Sequence, residues 1–280
     1  MSDRLLLCTD LDRTLLPNGE QAESPGARDR FATLASLPGI TLVYVTGRHI
    51  ELVQNAIDKY SLPQPVYAIS DVGSKIYRVE QEQWSSLSDW EKEIDCDWGN
   101  ANHAMLRRLL HDLADLRLQE SSKQNTHKLS FYVSLNIDHE ALLNEIEERL
   151  AMHGVRVSLI WSIDEAAAIG LLDILPQRAS KLHAIEFLAR QLDFEIDDIL
   201  FAGDSGNDLA VLSSAIPSVL VANASAEVKQ IAQEQASVTR HAEALYIAHG
   251  GFLNMNGNYS AGILEGIAHF HPFFADALKF

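Results

Sequence analysis

Asp10 and Asp12 stand two positions apart directly after an apolar run, Leu5–Thr9 (LLLCT), and Thr14 follows them. A short continuous run of that kind fits a strand buried on both faces. The carboxyl ends of parallel strands are where open α/β sheets hold their ligands. Two carboxylates at such a place repel each other and lose hydration, a cost that a cation, a proton or a reaction offsets. Taken alone, Asp-x-Asp-x-Thr also fits a turn or a helix cap. Three further stretches add to it. Thr46-Gly47-Arg48 follows a second β-forming run, Ile40–Val45; Lys181 lies in the first turn of a helical pattern; and Gly203-Asp204-Ser205-Gly206-Asn207-Asp208 follows the run Ile199–Ala202. Together they supply a nucleophilic carboxylate, a hydroxyl, an ammonium and two more carboxylates. Three carboxylates suit a hard, octahedral ion such as Mg2+ and leave too few soft ligands for zinc. A carboxylate can attack phosphorus to give an aspartyl phosphate, and phosphoryl transfer asks mainly for positioning and neutralisation of phosphate oxygens.

The elements that must position these groups alternate. Ser24-Pro25 reads as an N-cap and first helical residue, with Phe31, Leu34 and Ala35 as an apolar stripe and Pro38-Gly39 as the stop. Leu52, Val53, Ala56, Ile57 and Tyr60 recur at helical spacing before Pro63, and Val66–Ser70 is a third strand. Strand, helix, strand, helix, strand argues for a parallel sheet with helices on its faces. Beyond Asp71-Val72-Gly73-Ser74 the pattern changes: Lys75–Val79 reads as a hairpin arm, and Gln81–Gly99 has no assignable element. Helical patterning covers His103–Leu118 and Asp138–His153, with Asp138 as N-cap. Lys128–Asn136 alternates as a half-exposed strand, and Val155–Ile160 and Leu171–Leu175 are further strands. Helix Ala179–Leu192, strand Asp198–Gly203, helix Asn207–Ser213, strand Pro217–Ala222 and helices Ala226–Glu234 and Tyr259–Phe270 then complete the α/β pattern. The expected organisation is an α/β, Rossmann-like parallel-sheet core over 1–79 plus 172–280, with an inserted α+β module over 80–171.

Composition bounds the rest. The 280 residues are 47% hydrophobic, enough for a full core. The formal net charge of −17 disfavours nucleic acid and anionic membrane surfaces as partners. Two cysteines, Cys8 and Cys96, make no disulfide framework, and no apolar stretch approaches a membrane span or a signal-type segment. A cytoplasmic monomer is the expectation.

The four motifs DLDRT, VTGR, a helical lysine and GDSGND, in that order, resemble the haloacid dehalogenase-like (HAD) phosphohydrolases, and the insert resembles their type IIB cap. Further stretches are similar to the sucrose-phosphate phosphatases: Asp71–Tyr77, Gln124-Asn125 with His127–Ser130, Asp173–Arg178, and Tyr259–Phe270. The resemblance implies Asp10 as nucleophile and Asp12 as acid and then base, its backbone carbonyl also on Mg2+. It implies Thr46 on a phosphoryl oxygen, Lys181 neutralising charge, and Asp10, Asp12, Asp204 and Asp208 holding Mg2+. Thr46, Gly47, Arg48 and Asn207, with Gln124, Asn125, Lys128 and Ser130 of the cap and Asp173, Gln177 and Arg178 just after it, would bind substrate. The implied activity is hydrolysis of sucrose 6-phosphate to sucrose, in sucrose biosynthesis, with a sugar-phosphate synthase as a conceivable partner.

Alternatives stay open at this level. Mannosylfructose phosphate or glucosylglycerate phosphate, a phosphomutase, or a non-catalytic partner of a synthase fit the same motifs. Arg13 stands where the family often has glycine, and Ile163–Gly170 and Gly250–Asn258 read as insertions. Asp208 fits a helix cap, Lys181 a solvated helix position, Gln124 and Lys128 ordinary strand positions, and Arg178 a partner for an acid. Trp84, Trp90 and Trp98 fit core packing better than a sugar platform.

Overall fold

A computed structural model describes residues 4–99, 101–164 and 167–276. In chain order it runs β1 (Leu5–Thr9), α1 (Ala27–Ala35), β2 (Ile40–Val45), α2 (Ile50–Tyr60), β3 (Tyr67–Ser70), β4 (Lys75–Glu80) and β5 (Gln83–Ser86). There follow α3 (Ser88–Trp98), α4 (His103–Leu109), β6 (Arg117–Leu118), β7 (Leu129–Val133), α5 (His139–Ala151), β8 (Val157–Asp164) and β9 (Ile169–Pro176). The chain closes with α6 (Lys181–Gln191), β10 (Ile199–Gly203), α7 (Leu209–Leu212), β11 (Ser218–Leu220), α8 (Ala226–Val238), β12 (Leu245–Ile247), α9 (Ser260–Phe270) and α10 (Pro272–Asp276). Two units result: Met1–Ser86 with Ala184–Phe280, and Leu87–His183.

The first unit is an α/β layer around an eight-stranded sheet of order β12-β11-β10-β1-β2-β3-β4-β5. The six strands from β12 to β3 are parallel; β4 and β5 close the edge antiparallel. β1 lies between β10 and β2, and all five of its residues are buried, as its unbroken apolar run requires. Cys8 is one of them, and burial pushes its thiol pKa up. Leu5, Leu7, Leu42, Tyr44, Leu200 and Val219 share one core with α1, α2 and α9. Helix α9 is buried from Ser260 to Ile267. Its Gly262 and Gly266, one turn apart, let it lie directly on β11: a Cβ at Gly266 would meet Val219 at 2.5 Å, and one at Gly262 would meet Val221 at 2.9 Å.

The second unit has its own core beside a four-stranded antiparallel sheet of order β6-β7-β9-β8. Asp138 caps α5 by accepting from the Ala141 amide at 3.0 Å. Leu142, Ile146 and Leu150, at four-residue spacing, pack with Trp98, Leu106, Phe131, Leu172 and Ile174.

Several elements differ from their sequence expectations. Gln81–Gly99 holds β5 and α3, whose Trp90 and Trp98 are fully buried and therefore pack, whereas Trp84 packs partly buried against the main core. The helix expected over His103–Leu118 stops at Leu109, and Arg117–Leu118 pairs with β7 instead. Leu171–Leu175 lies within β9 of the smaller sheet, so the units divide at 86/87 and 183/184, against the expected 79/80 and 171/172. A short apolar alternation looks the same whichever sheet it joins. Ser24 does not cap α1; Gly26 precedes the helix in the left-handed region, and Ser24 Oγ donates to Asn256 Oδ1 at 2.8 Å. Of the expected insertion Ile163–Gly170, Glu165 and Ala166 lie outside the described residues. The segment around Gly250–Asn258 folds onto the first unit, where buried Glu265 accepts from the amides of His249 and Gly250 and from the Tyr246 hydroxyl.

Candidate active site

Parallel pairing brings the acids of the first unit together. Thr9 of β1 sits opposite Ala202 of β10, and the Asp10 amide donates to the Ala202 carbonyl at 2.9 Å. Asp10 and Asp204 therefore leave the carboxyl ends of neighbouring strands, which lie about 4.8 Å apart. Asp208 reaches the same place through a tight turn. The amides of Asp204 and Ser205 each donate to its Oδ2 at 3.1 Å, and the Ser205 hydroxyl adds a 3.3 Å bond. Asp208 thus is a cap, as its position allowed, and a member of the cluster as well. The turn needs Gly203 for closeness: a Cβ there would stand 2.6 Å from Asp208 Cγ.

Oxygens of Asp10, Asp204 and Asp208, all buried, lie within 4.8 Å of one another. The donors are carboxylate oxygens only, with no sulfur or imidazole in the group, which fits a hard divalent ion such as Mg2+. Thr14, fully buried, donates its hydroxyl to Asp204 Oδ1 at 3.2 Å, and Arg13 Nε stands 3.5 Å from Oδ2.

The carboxylate of Asp12 is turned elsewhere. It is 43% exposed and is gripped at both oxygens by Arg48, Nε to Oδ2 at 2.7 Å and Nη2 to Oδ1 at 2.6 Å, while Asn18 Nδ2 donates to Oδ1 at 2.7 Å. The carboxylate and its hydrogen bonds hold the Arg48 guanidinium pKa above its ordinary value. Thr46, buried at the end of β2, accepts the Arg48 amide on its hydroxyl at 3.2 Å. The loop from Thr46 to Arg48 rests on Asp71-Val72-Gly73, three successive residues at positive φ (50°, 59° and 95°). The Asp71 amide donates to the Arg48 carbonyl and the Val72 amide to the Thr46 carbonyl. Left-handed backbone at an aspartate and a valine costs about 1–2 kcal/mol each, and such strain gathers at functional sites. Asn207 is exposed beside Ser205, whose hydroxyl donates to Asn207 Oδ1 at 3.2 Å. Lys181 is buried as the first residue of α6.

In the second unit, the expected substrate residues separate into two sets. Ser130 and Asp173 face each other across β7 and β9, joined by a short hydrogen bond, and the nearly buried Lys128 Nζ lies 3.5 Å from Asp173 Oδ2. Gln124 spends its side-chain amide on backbone: Nε2 donates to the Ser130 and Gln119 carbonyls, and Oε1 accepts the Ser130 amide. Asn125 accepts the His127 amide. Arg178 belongs to a different cluster, its amide donating to fully buried Asp97 at 2.8 Å and its guanidinium to Cys96 Sγ at 2.7 Å. Gln177 is exposed beside it.

Sequence reasoning gave no role to Asn18, Asn223 or the side chain of Arg13. Asn18 Oδ1 accepts the Arg13 amide at 2.8 Å, and Asn223 Nδ2 donates to the Arg13 carbonyl at 2.6 Å. Pro17-Asn18-Gly19 signalled only a loop, and nothing local marks Asn223.

The model of the sucrose-6F-phosphate phosphohydrolase family matches residues 3–271. The chain belongs to that family. As a member it is a HAD-type phosphoric monoester hydrolase. It is 53% identical over 272 residues to a protein of Nitrosococcus oceani described as a HAD-like hydrolase, covering 97% of this chain and 73% of that one. It is 27% identical to the mannosylfructose-phosphate phosphatase of Agrobacterium fabrum, over 94% of this chain and 96% of that one. The sucrose-phosphatase of Synechocystis sp. PCC6803, solved with sucrose and phosphate, superposes with a TM-score of 0.71 at 25% identity, over 95% of this chain and 98% of that chain. Among the described residues no helix is long and apolar enough to cross a membrane.

Proposed function

We propose that this phosphohydrolase is Mg2+-dependent and acts on a disaccharide phosphate, with sucrose 6-phosphate as the first candidate. The observation that carries the reading is the convergence of Asp10, Asp204 and Asp208 at adjoining strand ends. Asp10, Asp204, Asp208 and the Asp12 backbone carbonyl would hold the ion, which would neutralise phosphoryl oxygens. Asp10 would attack phosphorus, breaking the bond to the sugar oxygen and forming an aspartyl phosphate. Asp12, released by Arg48 as the guanidinium turns to the substrate, would carry a proton to the departing sugar oxygen. It would then take one from the water that attacks the aspartyl phosphate, releasing phosphate and restoring Asp10. Thr46 and Lys181 would bind phosphoryl oxygens, Arg48 and Asn207 the substrate. The inserted unit is the specificity cap in this reading, and Lys128, Ser130 and Asp173, already clustered, are its strongest sugar contacts. Arg178, committed to Asp97, is weaker.

A second reading is mannosylfructose phosphate, favoured by a match along nearly the whole of that relative. Phosphate release from a panel of sugar phosphates, with Mg2+ and with EDTA, separates them. Release from one disaccharide phosphate, abolished by EDTA and by Asp10→Asn, is the expected result. Isomerisation of a sugar phosphate without release would make it a mutase, and silence toward every disaccharide phosphate would end the reading.

A further inference from the structure

Arg13 has an unusual backbone and an unusual neighbour. Its φ is 56°, in the region that a side chain rarely occupies. Two asparagines hold it there, Asn18 from the amide side and Asn223 from the carbonyl side. Asn223 is itself fixed, since its Oδ1 accepts the Tyr259 amide at 2.8 Å. A residue kept in a strained conformation by dedicated partners is worth a functional explanation. The side chain supplies one: Nε stands 3.5 Å from Oδ2 of Asp204, a member of the acid cluster, and the guanidinium remains about half-exposed.

Charge decides what that contact does. Three carboxylates and one divalent ion leave one negative charge, and that charge repels an incoming phosphate. A guanidinium on Asp204 cancels it. The same guanidinium competes with the ion for Asp204, because like charges near one ligand oppose each other.

We propose that Arg13 is a positioning residue that balances the acid cluster, weakening its hold on the divalent ion and strengthening its hold on the phosphate. The proposal rests on the reading that the cluster takes Mg2+ and phosphate. It makes the two affinities move in opposite directions when the charge is removed, which a purely structural role for Arg13 does not.

The test is calorimetric titration of the full chain with MgCl2, and then with inorganic phosphate at saturating Mg2+. For Arg13→Gln the Mg2+ Kd falls about two- to fivefold and the phosphate Kd rises by a similar factor, the range for a half-exposed ion pair. Added salt shrinks both changes. Arg13→Lys, which keeps the charge, restores both partway. Arg13→Gly removes charge and strain together, so it matches Arg13→Gln in ion binding while melting at a higher temperature. Equal Mg2+ affinity in wild type and Arg13→Gln, or two affinities moving the same way, overturns the proposal alone. A wild-type chain that binds no Mg2+ overturns the metal reading and this proposal with it.

Discussion

Arg48 and Asp12 meet in a two-point fork, with Nε and Nη2 of the guanidinium on separate oxygens of the carboxylate at 2.7 and 2.6 Å. The fork spans two loops that leave neighbouring strands β1 and β2, so it fixes one loop against the other. A planar guanidinium can do this and an ammonium cannot. Arg48→Lys keeps the charge and loses the geometry. We expect kcat/KM to fall by about 10²-fold, the penalty for misplacing a reacting group by about an ångström, with an unchanged circular dichroism spectrum. Full activity in Arg48→Lys would show that charge at this position suffices.

Gly203 is required by contact rather than by φ. A methyl group there would press on Asp208 at 2.6–2.8 Å, against a carboxylate already held by two amides. Gly203→Ala should cost about 1–3 kcal/mol of stability by overpacking and should weaken Mg2+ binding by moving Asp208. Urea denaturation and a magnesium titration read the two effects; a variant as stable as wild type would mean that the turn relaxes freely.

Asp97 is a fully buried carboxylate on α3 that accepts the Arg178 amide at 2.8 Å and pairs with Arg156. Its carbonyl also accepts the Arg156 amide, so it ties α3 to the ends of β8 and β9. Asp97→Ala strands a buried amide and should destabilise the protein by about 1–3 kcal/mol; Asp97→Asn, which keeps an acceptor, should cost less. Denaturant midpoints of the two variants give the order, and an Ala variant no worse than Asn would remove Asp97 from the account.

His271, between α9 and α10, is half-buried with Nε2 3.4 Å from the Ile199 carbonyl, and burial lowers its pKa below the ordinary 6.5. The folded chain therefore holds its neutral form more firmly than the unfolded chain does. Its contribution to stability is present above pH 6.5 and is lost as pH falls through the lower folded value. Melting temperatures from pH 7.5 to 5 should fall more steeply for wild type than for His271→Gln. Parallel curves would show that His271 does not titrate across unfolding.

Much of this architecture is legible in single stretches. Leu5–Thr9 and Ile199–Gly203 are apolar throughout because both faces of a central parallel strand are covered. Asp10 and Asp204 at their ends, and Thr46 at the end of Ile40–Val45, follow from where each run stops. Asp138 announces α5 by local capping chemistry. The expected boundary at 171/172 cuts through β9, because periodicity reports a strand and not its sheet. Asn223 and the grip of Arg48 on Asp12 left no local trace, since each depends on a partner distant along the chain; Asn18, whose partners Arg13 and Asp12 lie in its own loop, showed only as part of a turn signal.

The kinds of chemistry available, and the strand ends that carry them, can be read along the chain, because hydrophobic runs and their terminators are properties of neighbouring residues. Which acids meet is set by the fold. Asp204 joins Asp10 through a parallel register set about 190 residues away along the chain, while Asp12, two residues from Asp10, turns to Arg48. Nearness along the chain does not choose a carboxylate's partner; the packing of strands and loops from distant segments does.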